Sequence, residues 1–98
     1  MPNVKIPKLI DGGKIVLYTP IDKRHTPTGN TRHTVHGTTV PAARFLAICQ
    51  YDGEKGFYLF QCDENWQVLT DTFHASLSEA KDQAEFEFTG TSKTWTEP

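Results

Sequence analysis

The architecture of this 98-residue chain is set by one stretch, residues 44–72, which reads RFLAICQYDGEKGFYLFQCDENWQVLTDT. Three runs within it, at residues 44–51, 57–62 and 66–72, are rich in aromatic and aliphatic residues, and each predicts a strand. The connections between the runs hold five and three residues, and the first connection contains two glycines. Strands joined by such short connections lie antiparallel. The stretch therefore predicts an antiparallel meander.

Both faces of this meander are predicted to be apolar, because pleating sends alternate side chains to opposite faces. The first connection is expected to pair Tyr51 with Phe57. The second is expected to pair Cys62 with Trp66, which places Cys49 and Cys62 on opposite faces. One face would carry Leu46, Ile48, Tyr58, Phe60, Cys62, Trp66 and Val68. The other face would carry Phe45, Ala47, Cys49, Tyr51, Phe57, Leu59 and Leu69.

Residues 76–89 predict a helix. Ser76 followed by Glu79 matches a capping box, in which each side chain satisfies a free backbone N–H at the helix start. Gly90 suits the left-handed position just beyond the helix end. The apolar stripe at helical spacing consists of Leu77, Ala80, Ala84 and Phe88. The chain therefore predicts an α+β domain, in which a three- to five-stranded antiparallel meander packs on one C-terminal helix.

The remaining segments are expected to complete a single domain. Residues 1–13 predict a tail or a short edge strand, and residues 14–19 predict a further strand ended by a proline. Residues 20–41 predict a polar arm rich in Thr and His, either a hairpin or a loop, with a turn at residues 27–30. Residues 91–98 predict a tail or a closing edge strand.

A short helix covers only one face, so the second apolar face requires another cover. Antiparallel sheets that face water usually alternate apolar with polar residues, and an apolar patch of several hundred Å² is seldom left bare on a monomer. Two ways of covering this face remain as alternatives. The first strand and the N-terminal segment could close a half-barrel, or a partner protein or a second copy of this chain could stack on the face.

Charge is divided unevenly along the chain. Residues 1–51 hold seven Lys/Arg and two Asp/Glu, which gives +5, and residues 52–98 hold three Lys/Arg and ten Asp/Glu, which gives −7. The net charge of −2 and a pI near 6.0 argue against a dedicated nucleic-acid binder. With two cysteines, no secretory signal and no apolar run of membrane-spanning length, we expect free thiols and a cytoplasmic protein away from membranes.

No motif indicates catalysis, a metal or a cofactor. His33 and His36 have HxxH spacing, but on a strand they point to opposite faces, so we expect solvated histidines rather than a metal site. Cys49, Asp71 and His74 have the residue types of a thiol–imidazole set, but no local motif supports one. We therefore expect a non-enzymatic protein.

A protein-interaction module, with a second copy considered as one partner, is the function that these features favour. Phe86 lies about 180° around the helix from the apolar stripe, which is out of place on a solvated face. Trp95 follows the helix, and the arm carries basic residues and histidines. The residues expected to contact a partner are Phe86, Trp95, Arg24, His25, Arg32 and His33.

Three alternatives stay open. The acidic helix residues Glu79, Asp82, Glu85 and Glu87 could serve an immunity- or antitoxin-like inhibitor, the arm at residues 23–36 could bind nucleic acid, and a half-barrel could hold a small ligand beneath the arm. The order of strands followed by a helix is similar to that of double-stranded-RNA-binding domains. Their basic helix start is replaced here by Leu77-Ser78-Glu79, so no functional residue is carried over.

Overall fold

The chain is built around a five-stranded antiparallel sheet. The computed structural model describes residues 6–27, 34–35, 38–39 and 43–98. Its elements are β1 (Leu9–Ile10), β2 (Gly13–Pro20), β3 (Thr26–Pro27), β4 (Thr34–Val35), β5 (Thr38–Thr39), β6 (Phe45–Gln50), β7 (Phe57–Cys62), β8 (Val68–His74), α1 (Leu77–Glu87) and β9 (Phe88–Thr89). The main sheet has the order β1-β2-β6-β7-β8, while β3 pairs with β9 and β4 with β5. The predicted α+β fold, with its meander packed on one C-terminal helix, is confirmed.

The sheet begins with a tight hairpin that turns at Asp11 and Gly12. Both residues have positive φ, 47° and 84°, which is the geometry of a type I′ turn and explains why an Asp-Gly pair occupies it. The edge element expected within residues 1–13 is β1, which pairs with the first residues of β2. Residues 1–5 lie outside the described part of the chain.

The register between β6 and β7 differs by one residue from the predicted one. Cys49 lies opposite Tyr58. Continued into the connection, this register places Tyr51 opposite Gly56 rather than opposite Phe57. Four residues instead of five therefore cross between the strands, and every β7 side chain moves to the other face.

This shift corrects the prediction for the two cysteines. Cys49 and Cys62 lie on the same face of the sheet, and both are fully buried free thiols. Burial raises the pKa of each thiol to about 12, so both are held in the unreactive protonated form.

The prediction that Trp66 begins the third strand is wrong. Trp66 occupies the turn before this strand. Its φ of 64° is left-handed, which costs a non-glycine residue roughly 1–2 kcal/mol. Two contacts offset this cost. The Asp63 carboxylate accepts the backbone N–H groups of Asn65 and Gln67 at 2.8 and 2.9 Å, and the Trp66 ring stacks on Phe45 with centroids 4.1 Å apart. Strand β8 therefore begins and ends two residues later than expected.

Each face of the sheet has its own core. The helix side buries Ala43, Leu46, Ile48, Leu59, Ala80, Ala84 and Phe88. The opposite side buries Ile10, Ile15, Ala47, Cys49, Phe60 and Cys62. Ile6 and Ile10 of the N-terminal segment pack on this second core, so the segment covers part of the face, in keeping with the half-barrel alternative.

The helix starts as expected and ends earlier. The Ser76 hydroxyl accepts the Glu79 N–H at 3.1 Å, and the Glu79 carboxylate in turn accepts the Ala75 N–H at 3.1 Å. The helix ends at Glu87, two residues before the predicted end, because β9 pairs with β3. Gly90 is left-handed as expected, with φ of 105°, but it follows β9 rather than the helix.

The predicted arm is divided between two small ladders. Thr26 and Pro27 pair with β9, so this end of the arm belongs to the body of the domain, while most of the turn predicted at residues 27–30 lies outside the described residues. Residues 34–35 and 38–39 form the β4–β5 pair. Residues 28–33, 36–37 and 40–42 lie outside the described part. After a short 3₁₀ helix, Thr91–Lys93, the chain closes on β2 by one bridge between Tyr18 and Thr96, at 2.8 and 3.0 Å.

We expect Gly90→Ala to lower the free energy of unfolding by about 2–4 kcal/mol, and Gly53→Ala by only about 1 kcal/mol. Both glycines have positive φ, at 105° and 80°, so both substitutions incur the left-handed cost. Only at Gly90 would the new Cβ lie 2.5 Å from the backbone oxygen of Arg24, whereas nothing lies within 4 Å at Gly53. Urea denaturation of the two variants measures the difference. Equal losses would contradict the close approach of the chain at Gly90.

Candidate functional site

Phe73 is an exposed aromatic residue that the fold holds in place. Its side chain is 57% exposed although it lies in strand β8. One side of its ring covers the backbone of Gly56, where any Cβ would collide with the ring. The Tyr58 ring meets it edge-on, with centroids 5.1 Å apart and planes at 64°. The ring is therefore both fixed and presented to solvent.

Phe73 belongs to a set of aromatic side chains on the side of the sheet away from α1. We call this group the aromatic face, and its members are Tyr18, Phe45, Tyr58, Phe60, Trp66 and Phe73. Tyr58 and Phe60 stack with centroids 6.0 Å apart, and Trp66 contacts Phe45 and the edge of Tyr18. Phe60 is buried, while Tyr18, Phe45, Tyr58 and Trp66 are half-buried. Among these rings, Phe73 is therefore the most exposed.

Strand β8 forms one edge of the main sheet. It is the last strand in the sheet order, and within the described residues no strand pairs with its outer side. Such an edge presents backbone N–H and C=O groups that can pair with another chain. Asp71, opposite Phe60 in the register, is exposed in the middle of the strand on the aromatic face.

A shallow groove of about 330 Å³ lies where the end of β8 meets α1. His74 contributes from the strand, and Glu79, Asp82, Gln83 and Phe86 contribute from the helix. His74 Nε2 lies 2.7 Å from the Thr72 hydroxyl. The β8 edge is therefore flanked by Asp71 and Phe73 on one side of the sheet and by carboxylates of the helix on the other.

Of the six residues predicted to contact a partner, the described ones do not form one surface. Phe86 is 53% exposed on α1, as its helical position predicts. Trp95 instead packs against the helix-side core, and its Nε1 is buried with no hydrogen-bond partner among the described residues. Arg32 and His33 lie outside the described residues.

The two described arm residues among these six, Arg24 and His25, hold the turn at residues 21–25. Arg24 forms a bidentate pair with Asp22, at 2.9 and 3.0 Å, and this bond holds the pKa of the Asp22 carboxyl down at about 2. His25 is buried, and both nitrogens of its ring have partners within the chain. Its Nδ1 accepts the Asp22 N–H at 3.1 Å, and its Nε2 lies 2.8 Å from the Thr94 hydroxyl.

Most of the acidic side chains of α1 accept hydrogen bonds within the chain. Glu79 caps the helix start. Glu85 accepts the N–H groups of Gly90 and Ser92 at 2.9 and 3.1 Å, and these bonds lower its pKa. Glu87 is buried and accepts the side-chain amides of Gln61 and Gln83. Asp82 remains as an exposed carboxylate beside the groove.

The cysteine-based set considered from sequence is separated by the sheet. Cys49 is buried on the side of the aromatic face, and Asp71 lies on the same side at the edge. His74 lies on the helix side, bonded to Thr72. A cavity of about 740 Å³ forms an open groove between the turns at residues 11–12 and 51–54.

Sequence reasoning missed Phe73, because the predicted third strand ended at residue 72 and the helix began at residue 76. The signal that could have found it is the alternation of Asp71 and Phe73 with Thr72 and His74, which continues the strand pattern for two more residues.

Three further findings concern metal ions, membranes and similarity to known proteins. Among residues 6–27, 34–35, 38–39 and 43–98, no group of three or more His, Cys, Asp or Glu side chains could hold a metal ion. In the same part of the chain, no helix has the length and apolar character needed to cross a membrane. Comparison with protein-family models, curated proteins and solved structures gave no significant match.

We expect Glu85→Gln to lower stability at neutral pH by about 1 kcal/mol and to flatten the loss of stability in acid. The folded pKa of Glu85 is lowered, so its contribution is present above its ordinary pKa of 4.5 and is lost as the pH falls through the folded value. Denaturant unfolding from pH 7 to pH 3 measures this, with Glu64→Gln in an exposed turn as the control. A wild-type protein and a Glu85→Gln variant with parallel pH profiles would contradict the role of Glu85.

Proposed function

We propose that this protein is a small non-enzymatic interaction domain, and that a partner polypeptide binds at the edge formed by β8 and Phe73. The observation that carries the proposal is the Phe73 ring, which is 57% exposed and yet fixed against Gly56 and Tyr58. Aromatic residues in such positions are enriched at the centres of protein interfaces.

A fixed aromatic ring favours binding for an entropic reason. An exposed side chain usually loses roughly 0.5–1.5 kcal/mol of rotamer freedom when a partner immobilises it. Phe73 has already lost most of this freedom through its contacts with Gly56 and Tyr58. Its apolar surface is therefore available to a partner at a smaller ordering cost.

The backbone of β8 supports the same location. A strand of seven residues offers its outer N–H and C=O groups to an added strand, and main-chain pairing of this kind supplies affinity in many peptide-binding domains. The edge at the other end of the sheet is less suitable, because β1 has only two residues.

The alternatives from sequence receive less support. The acidic helix face expected of an immunity- or antitoxin-like inhibitor is largely bonded within the chain. For nucleic acid, Arg24 is already paired with Asp22. The cytoplasmic location stays a proposal, and the two reduced, buried thiols support it.

We expect Phe73→Ser to abolish the enrichment of peptides from a displayed library of random decapeptides, while Leu9→Ser leaves it intact. Leu9 is the matched control, because it is 56% exposed and also lies in an edge strand. Denaturant unfolding verifies that both variants remain folded. If the Phe73→Ser variant does not fold, Phe73→Leu supplies a milder substitution. Selection that enriches no peptide, or enriches the same peptides on Phe73→Ser, would overturn the proposed function.

A further inference from the structure

We infer that the partner segment is a basic, extended stretch of polypeptide that adds to β8 as a sixth strand of the main sheet. This inference rests on the proposed function and names the chemistry of the partner. It depends on which charges flank the β8 edge, on the alternation of side chains in an added strand, and on the poor fit of a second copy.

Carboxylates flank the β8 edge on both sides of the sheet. On the aromatic face, Asp71 is exposed in the middle of the strand. On the helix side, Glu79 and Asp82 line the groove next to His74. The lysine of α1, Lys81, lies two residues beyond Glu79 and therefore about 160° around the helix from it. The edge is acidic on both sides, and cationic side chains complement it.

The side chains of an added strand alternate between these two environments. Every second residue would lie on the side of α1, within reach of Glu79 and Asp82. The residues between them would lie beside Phe73 and Asp71. A sequence with Lys on the helix side, and with an aliphatic residue beside Phe73 and a Lys opposite Asp71 on the other side, therefore fits the edge. Its cations meet carboxylates on both sides of the sheet, while the aliphatic residue covers the Phe73 ring.

A second copy of this chain is a worse occupant. The symmetric antiparallel register that pairs all seven residues of β8 with a second β8 is centred on Asp71. It places the two Asp71 carboxylates directly opposite each other, and like charges in that position destabilise a strand pair. The charge of the edge thus selects a cationic partner over self-association.

Two blocked heptapeptides test the inference by fluorescence anisotropy in 20 mM salt. The Lys peptide reads Thr-Lys-Val-Lys-Lys-Lys-Thr, so that its Val can cover Phe73 while its fifth residue lies opposite Asp71, and the Glu peptide replaces each Lys by Glu. We expect binding of the Lys peptide that weakens at least threefold in 300 mM salt, and no binding of the Glu peptide. A third peptide, the Lys peptide with N-methyl groups on alternate residues, cannot form the backbone ladder and should bind at least tenfold more weakly.

Charge variants locate the peptide on the protein. Asp71→Asn and Asp82→Asn should each raise the Kd of the Lys peptide about threefold to tenfold, whereas Glu97→Gln, an exposed carboxylate near the end of the chain, should leave it unchanged. Equal binding of the Lys and Glu peptides, equal binding of the N-methylated peptide, or no effect at Asp71 and Asp82 would each overturn the inference.

The failure of this inference can be distinguished from failure of the proposed function. If the displayed library yields peptides that require Phe73 but carry no excess of Lys or Arg, the interaction site stands and the basic partner is wrong. Light scattering at two protein concentrations tests whether a second copy of the chain occupies the β8 edge. A dimer that Phe73→Ser dissociates would assign the β8 edge to a second copy and overturn the inference.

Discussion

The domain depends on one strand pair, β6 with β7, that is apolar on both sides. Its helix side includes Leu46, Ile48 and Leu59, and its other side includes Ala47 and Phe60, all with at most 2% of their surface exposed. Burial of each large side chain contributes roughly 1.5–3 kcal/mol, so this pair carries a large part of the stability. A single register determines which side chains meet α1 and which meet the N-terminal segment. Helix docking and half-barrel closure are therefore consequences of the same pairing.

The elements that could be predicted from sequence are those with local causes. The Ser76 cap and the three apolar runs each depend on residues within a few positions of one another. The predicted register of β6 and β7 was wrong. The register depends on whether the connection between the strands holds four or five residues, and the apolar pattern fits either length. The pairing of β3 with β9 could not be predicted either, because the two strands lie more than sixty residues apart in the chain.

The candidate site lies further from what local sequence determines. The exposure of Phe73 follows from the place of β8 at the edge of the sheet, and β8 has that place because β2 pairs with β6 rather than with β8. The burial of His25 likewise depends on Thr94, which reaches it from the other end of the chain. Phe86 could be located from helical spacing alone, because its position depends only on α1.

Asp71 links the exposure of Phe73 to the identity of its partner. An edge strand that shows an aromatic ring and free backbone groups is a site of aggregation unless something opposes pairing with a second copy. A carboxylate in the middle of β8 provides that opposition, since self-pairing in full register places two negative charges opposite each other. The same carboxylate attracts a strand that carries cations, because ion pairing then replaces repulsion. The Asp71 carboxylate therefore disfavours a second copy of β8 and favours a cationic strand, which allows the fold to keep Phe73 exposed.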